Sequence, residues 1–227
     1  NGIWKEADAD ASGAITFDEF EGFINLLRGK KSAGVAARDS MQSRCSLDSE
    51  ASTAPEVGDS AVRGRTALMQ ACIGGHLQCA RVLMEAKADL EKQDKWGFTA
   101  LIWSCQNGHE PCARALIEAK ADVDEQDSKG CTALMHSCQQ GHEPCVRALV
   151  EAKADVNEQD NKGYTALMHS CQQGHGPCAR ALIEAKADVD TQNKQGVTAL
   201  NWACRKGHEE CAMLLLRNGA RAAFKDG

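Results

Sequence analysis

A chain of 227 residues has room for one large or two small domains, and its 26 Lys and Arg against 32 Asp and Glu give a formal net charge of −6. That balance excludes a globally basic nucleic-acid binder and a polybasic membrane anchor. With 43% hydrophobic residues, only 4% aromatics, 20 Gly and 4 Pro, collagenous and wholly disordered classes are excluded, and the core is expected to use small aliphatics and thiols.

In chain order, the first element is a calcium loop. Residues 8–19 read DADASGAITFDE, with acids at the first and third places, Ser at the fifth, Gly at the sixth and Glu at the twelfth. Calcium takes about six to eight oxygens, and this spacing gathers Asp8, Asp10, Ser12, the carbonyl of Ala14 and a water held by Thr16 around one point, with Glu19 closing the shell through both oxygens. Gly13 supplies the bend. Thr16 to Glu19 forms a capping box, and Phe17, Phe20, Phe23, Ile24 and Leu27 give the exiting helix an apolar side. Residues 1–30 thus resemble an EF-hand, which implies Ca²⁺ as the bound ion. Its entering helix is short, Asn1 to Ala7, and no second loop occurs in the chain. With no initiating Met, the chain is read as a fragment of a longer protein.

Residues 31–63 are rich in Ser, Ala and Gly and have no sustained apolar period, so a flexible linker is expected. At about 5–6 Å × √n its span is about 30 Å, too loose for calcium to reshape the C-terminal part of the chain mechanically.

From residue 64 the sequence repeats with a period of 33: Gly-x-Thr-Ala-Leu recurs from Gly64, Gly97, Gly130, Gly163 and Gly196. The five units are 64–96, 97–129, 130–162, 163–195 and 196–227. Such a period marks a solenoid whose units bury their apolar faces only against neighbours. In the third unit, Thr132 has N-cap chemistry ahead of Leu134, Met135 and Cys138 at helical spacing. Gly141 interrupts the helix, and Pro144 opens a second one bearing Cys145, Ala148, Leu149 and Val150. The polar tail of the unit turns back as a hairpin-like finger. A mainly α solenoid is therefore expected.

These signatures, with the Gly-His pair and the Ala-Asp-Val tail, resemble the ankyrin repeat family. The family pattern implies Pro where Ala67, Ala100, Ala133, Ala166 and Ala199 stand, and His where Met69, Ile102, Met135, Met168 and Asn201 stand. A sharper departure is Lys87, Lys120, Lys153 and Lys186 at the place of a left-handed Gly; only Gly219 keeps it. A left-handed backbone there costs each Lys up to about 1 kcal/mol relative to Gly.

Ten of the twelve cysteines fall in two series stepping by the same interval, Cys72 to Cys204 and Cys79 to Cys211. They are repeat positions and not bridge partners. Cys138, His142 and Cys145 have donor types that suit Zn²⁺, but the stronger reading is two small core thiols and a turn imidazole bonded to backbone. His136 and His169, one unit apart, are expected to face the binding groove without sharing a metal, since helix layers pack about 8–10 Å apart.

Chemistry varies where the scaffold does not, at finger tips and first helices. Lys95, Trp96, Phe98, Lys129, Lys162 and Tyr164 on the fingers, and Trp103, His136, His169 and Trp202 on the helices, are the candidate contacts for a protein partner on the concave surface. Trp103 and Trp202 have a competing role as packing between units. No phosphate loop, nucleophile elbow or Cys-His-Asn arrangement occurs. The expected function is a non-enzymatic scaffold or adaptor with a calcium-binding hand. The alternative is a piece of a larger Ca²⁺-regulated enzyme or channel whose catalytic or pore segment lies outside this chain. No stretch approaches the roughly 20 apolar residues of a membrane segment, and no export signal is present, so a reducing, cytoplasmic location is expected.

Overall fold

The computed structural model describes residues 64–221. The EF-hand and linker expected over residues 1–63 lie outside the described residues. Five helix pairs run through the described chain: α1 (Ala67–Ile73) with α2 (Leu77–Glu85), α3 (Ala100–Gln106) with α4 (Glu110–Glu118), α5 (Ala133–Gln140) with α6 (Glu143–Glu151), α7 (Ala166–Gln173) with α8 (Gly176–Glu184), and α9 (Ala199–Lys206) with α10 (Glu209–Arg217).

Each first helix starts for the same local reason. Thr66, Thr99, Thr132, Thr165 and Thr198 stand in extended backbone, and each hydroxyl accepts from the N–H three residues on. Asn201 adds the return bond, its Oδ1 accepting from Thr198 N at 3.1 Å. Left-handed glycines such as Gly141 (φ 80°) then stop the helix. A Cβ on Gly141 would lie 2.6 Å from the ring of His175, so crowding by the next unit restricts this site as well as torsion. Pro111, Pro144 and Pro177 open three of the second helices, where a missing N–H costs nothing.

The second helices end on lysine. Lys87, Lys120, Lys153 and Lys186 have φ of 65°, 72°, 69° and 67°, so the conformation expected for glycine is held by a residue with a Cβ.

Neither helix of a pair can hide its apolar side alone. First helices pack on first helices, α1 on α3, α3 on α5, α5 on α7 and α7 on α9, and second helices do likewise. The core they enclose runs unbroken through the stack, from Leu68 and Met69 to Leu200 and Leu215. Leu149 is fully buried, a placement worth about 1.5–3 kcal/mol.

The thiols track this stacking with an offset of one unit. Cys72 meets Cys112, Cys105 meets Cys145, Cys138 meets Cys178 and Cys171 meets Cys211, each a first-helix thiol against the second-helix thiol of the next unit. These eight are buried. The two left over, Cys79 in the first unit and Cys204 in the last, are half-buried and exposed. The neighbouring Cys112 thiol and burial push Cys72 upward while the same contact lowers Cys112, and burial with Cys178 pushes Cys138 up, so the thiols of the ladder bond one another and pack as small, weakly polar groups.

Several sets of bonds tie one unit to the next. His109, His142 and His208 each place Nε2 on a carbonyl at the end of the preceding first helix, at 3.0 Å from Ile73 and 3.2 Å from Gln106 and Gln172. The imidazole of the Gly-His pair therefore bonds backbone, as its turn chemistry implies. Fingers join through backbone bonds, Ser128 N to Trp96 O, Asn161 N to Lys129 O and Lys194 N to Lys162 O. At the finger bases Asp124, Asn157 and Asp190 each accept the backbone N–H of Asp155, Asp188 and Arg221 in turn. Arg114 and Arg147 pair with glutamates of their own helix and of the next unit's second helix, an exposed set that adds little stability.

Candidate interaction surface

The finger tips are positioned by a buried acid. Asp94, Asp127 and Asp160 each turn Oδ1 onto the N–H groups two and four residues on, closing the finger loop at 2.8–3.0 Å. Asn193 closes the last loop in the same way. The second oxygen is aimed at the first helix nine residues on, where it meets Trp103 Nε1 at 3.0 Å, His136 Nε2 at 3.0 Å and His169 Nε2 at 3.4 Å. One acid thus clamps each of the first three fingers to the helix that follows it.

Electrostatics in the clamp are set by these bonds. Burial draws the Asp127 carboxyl upward, but the ring of His136 and the N–H groups of Cys131 and Lys129 outweigh it and hold the carboxyl below its usual range. Asp160 is lowered by the equivalent set, His169 with the N–H groups of Tyr164 and Lys162. Cys131, between the two acids, is pushed up to about 12 by burial and by both carboxylates.

The clamp corrects the orientation expected for two residues of the first-helix row. Trp103 and His136 are 6% and 8% exposed and point down onto Asp94 and Asp127, not out into a groove. His169 and Trp202 are partly buried. The fingers behave otherwise: Trp96 is 39% exposed, Lys95, Lys129 and Lys162 are exposed, and Phe98 and Tyr164 are half-buried. Rings bind these layers in two groups, one on each side of Cys131. Phe98 lies 4.8 Å from both Trp103 and His136, Tyr164 lies 5.5 Å from His169 and 5.8 Å from Trp202, and the Arg65 guanidinium stands 4.2 Å over Trp103. The structure brings the ten candidate residues to one edge of the stack, with the tips outermost and the helix residues as their support.

A family model for ankyrin repeats, in three copies, matches residues 45–127, 86–160 and 134–226. The chain belongs to the ankyrin repeat family. Ankyrin repeats are protein-interaction modules, characteristically non-catalytic, and both ring groups lie on the finger edge of this ankyrin stack. No curated protein matches the chain. Among the described residues no helix is long and apolar enough to cross a membrane.

Sequence reasoning passed over Cys131. The signal was present: Cys131 is one of two cysteines outside the 33-residue series, with an acid four residues before it and an imidazole five after. The structure brings Asp127, Cys131 and His136 together, and joins Cys131 also to Asp160 of its own unit and His169 of the next.

Proposed function

We propose that this ankyrin protein is a non-enzymatic adaptor that grips a protein segment along its finger edge and carries a separate calcium-binding hand. The observation that supports the grip is the combination of one exposed lysine per finger, at Lys95, Lys129, Lys162 and Lys194, with the ring groups beneath them. Aromatic faces bury area at small entropic cost, and lysines at the rim favour a segment with acidic side chains. The buried Asp clamps keep the tips in position before a partner arrives, which lowers the cost of binding.

Calcium binding rests on the loop of residues 8–19, with Asp8, Asp10, Ser12, Ala14, Thr16 and Glu19 as ligands. Affinity in the range of about 10⁻⁷ to 10⁻⁴ M is expected. The composition of residues 31–63 argues against mechanical coupling, so calcium recruits or releases a second partner and leaves the affinity of the stack nearly unchanged.

Two measurements test this reading. Titration calorimetry should give saturable Ca²⁺ heat that disappears in Glu19→Gln; no saturable heat in the parent chain would leave the scaffold alone. Recovery of partner proteins from lysate, with and without chelator, should fall for Trp96→Ala and for the Lys129→Glu, Lys162→Glu double variant. Unchanged recovery in both would remove the finger edge as the binding surface.

A further inference from the structure

Around Cys131 the chain departs from its own repeat. The residue before the helix-capping Thr is Arg65, Phe98, Cys131, Tyr164 and Val197 in successive units, and the residue nine past the finger Asp or Asn is Trp103, His136, His169 and Trp202. Only between the second and third fingers do a thiol, two imidazoles and two carboxylates coincide. A framework requirement would recur in every unit, and this constellation does not.

The donor atoms of Asp127, Cys131 and His136 lie within 4.8 Å of one another, as do those of Cys131, Asp160 and His169. Cys131 belongs to both groups, with its Sγ 4.0 Å from Asp160 Oδ2. The two imidazoles differ in their bonding. His136 is satisfied by Asp127 at 3.0 Å. In His169 both ring nitrogens are buried without a hydrogen-bond partner, although Nε2 stands 3.4 Å from Asp160 Oδ2. A partly buried imidazole held only by this long ion pair, with Nδ1 unpartnered and a thiol beside it, has the makings of a ligand set rather than of a satisfied core pair.

We propose that Cys131 Sγ, Asp160 Oδ2 and His169 Nε2 form a binding site for a single zinc-class transition-metal ion, bridging the third and fourth units. Thiolate with imidazole selects Zn²⁺ over the hard cations suited to an oxygen loop. Tetrahedral Zn²⁺, with bonds of about 2.0–2.2 Å to N and O and about 2.3 Å to S, sets its ligands about 3.3–3.7 Å apart. The 3.4 Å and 4.0 Å separations are close to these, so side-chain rotations complete the seat. The fourth position is left to water. On binding, the Cys131 S–H bond breaks, Sγ bonds the ion and the proton leaves to solvent. The cation then balances the thiolate and the two flanking carboxylates, and Asp127 with His136 stays as an outer pair. This inference is independent of the calcium reading.

Co²⁺ in place of Zn²⁺ gives the test, since a thiolate-to-cobalt charge-transfer band marks sulfur ligation and an oxygen-only loop gives none. The full chain, reduced, should take up one equivalent with that band and with tetrahedral d–d absorption. Both should be lost in Cys131→Ser and in His169→Gln and kept in His136→Gln. Asp160→Asn, which keeps the finger bonds that Asn193 already makes in the last unit, should weaken binding at least tenfold. Zn²⁺ should raise the melting temperature of the parent chain but not of Cys131→Ser. Absence of the band in the parent, its survival in Cys131→Ser or His169→Gln, or its loss in His136→Gln would overturn the assignment.

Discussion

In the last finger, Asn193 accepts the loop N–H groups through Oδ1, which fixes its Nδ2 on the side where the other fingers present a carboxylate oxygen. Trp202 stands nine residues on, as Trp103 does from Asp94, but here a donor faces a donor, and both Asn193 Nδ2 and Trp202 Nε1 are buried without a partner. Asn193→Asp should therefore stabilise the chain by about 1 kcal/mol, read from the urea midpoint at neutral pH, by giving the indole the acceptor it has in the second unit. The lysines at positive φ offer a second gain. Lys153→Gly removes the Cβ strain at φ 69° and should add up to about 1 kcal/mol, partly offset by the greater freedom of glycine in the unfolded chain.

The helix pairs are legible from sequence because their starts and stops are local: a Thr that caps, a Gly that turns and, in three of the five, a Pro that opens. Fingers were legible too, since the tips vary and varying positions at a turn face outward. The first-helix row was not. Variation marks Trp103 and His136 as unlike their counterparts, but the acid that draws them inward lies nine residues earlier, in another element, and its second oxygen has no sequence signature of its own. Glycines at the helix turns show how an element depends on its neighbour. Gly141→Ala meets both a left-handed φ and the ring of His175, whereas Gly207→Ala meets the same φ with nothing within 4 Å. Gly207→Ala should cost about 1 kcal/mol and Gly141→Ala about twice that or more, measured by thermal unfolding, and equal costs would mean that the ring moves aside freely.

Across the whole stack, stability is a sum of units and the interfaces between them, so the same substitution has different effects at different depths. Cys138 and Cys204 occupy equivalent places in their units, one covered by the next unit and one exposed. Cys138→Ser buries a hydroxyl in an apolar layer and should cost about 1–3 kcal/mol, while Cys204→Ser should stay within about 0.5 kcal/mol, both by urea denaturation under reducing conditions. The offset of the thiol ladder reaches further than stability. Because each pairing joins a unit to its successor, the surplus sulfurs fall at opposite extremes of the array, Cys79 on the first module and Cys204 on the fifth. With Cys45 changed to Ser, a fluorophore pair attached to these two under native conditions forms a ruler along the array, and its energy transfer reports any bending when a guest is gripped.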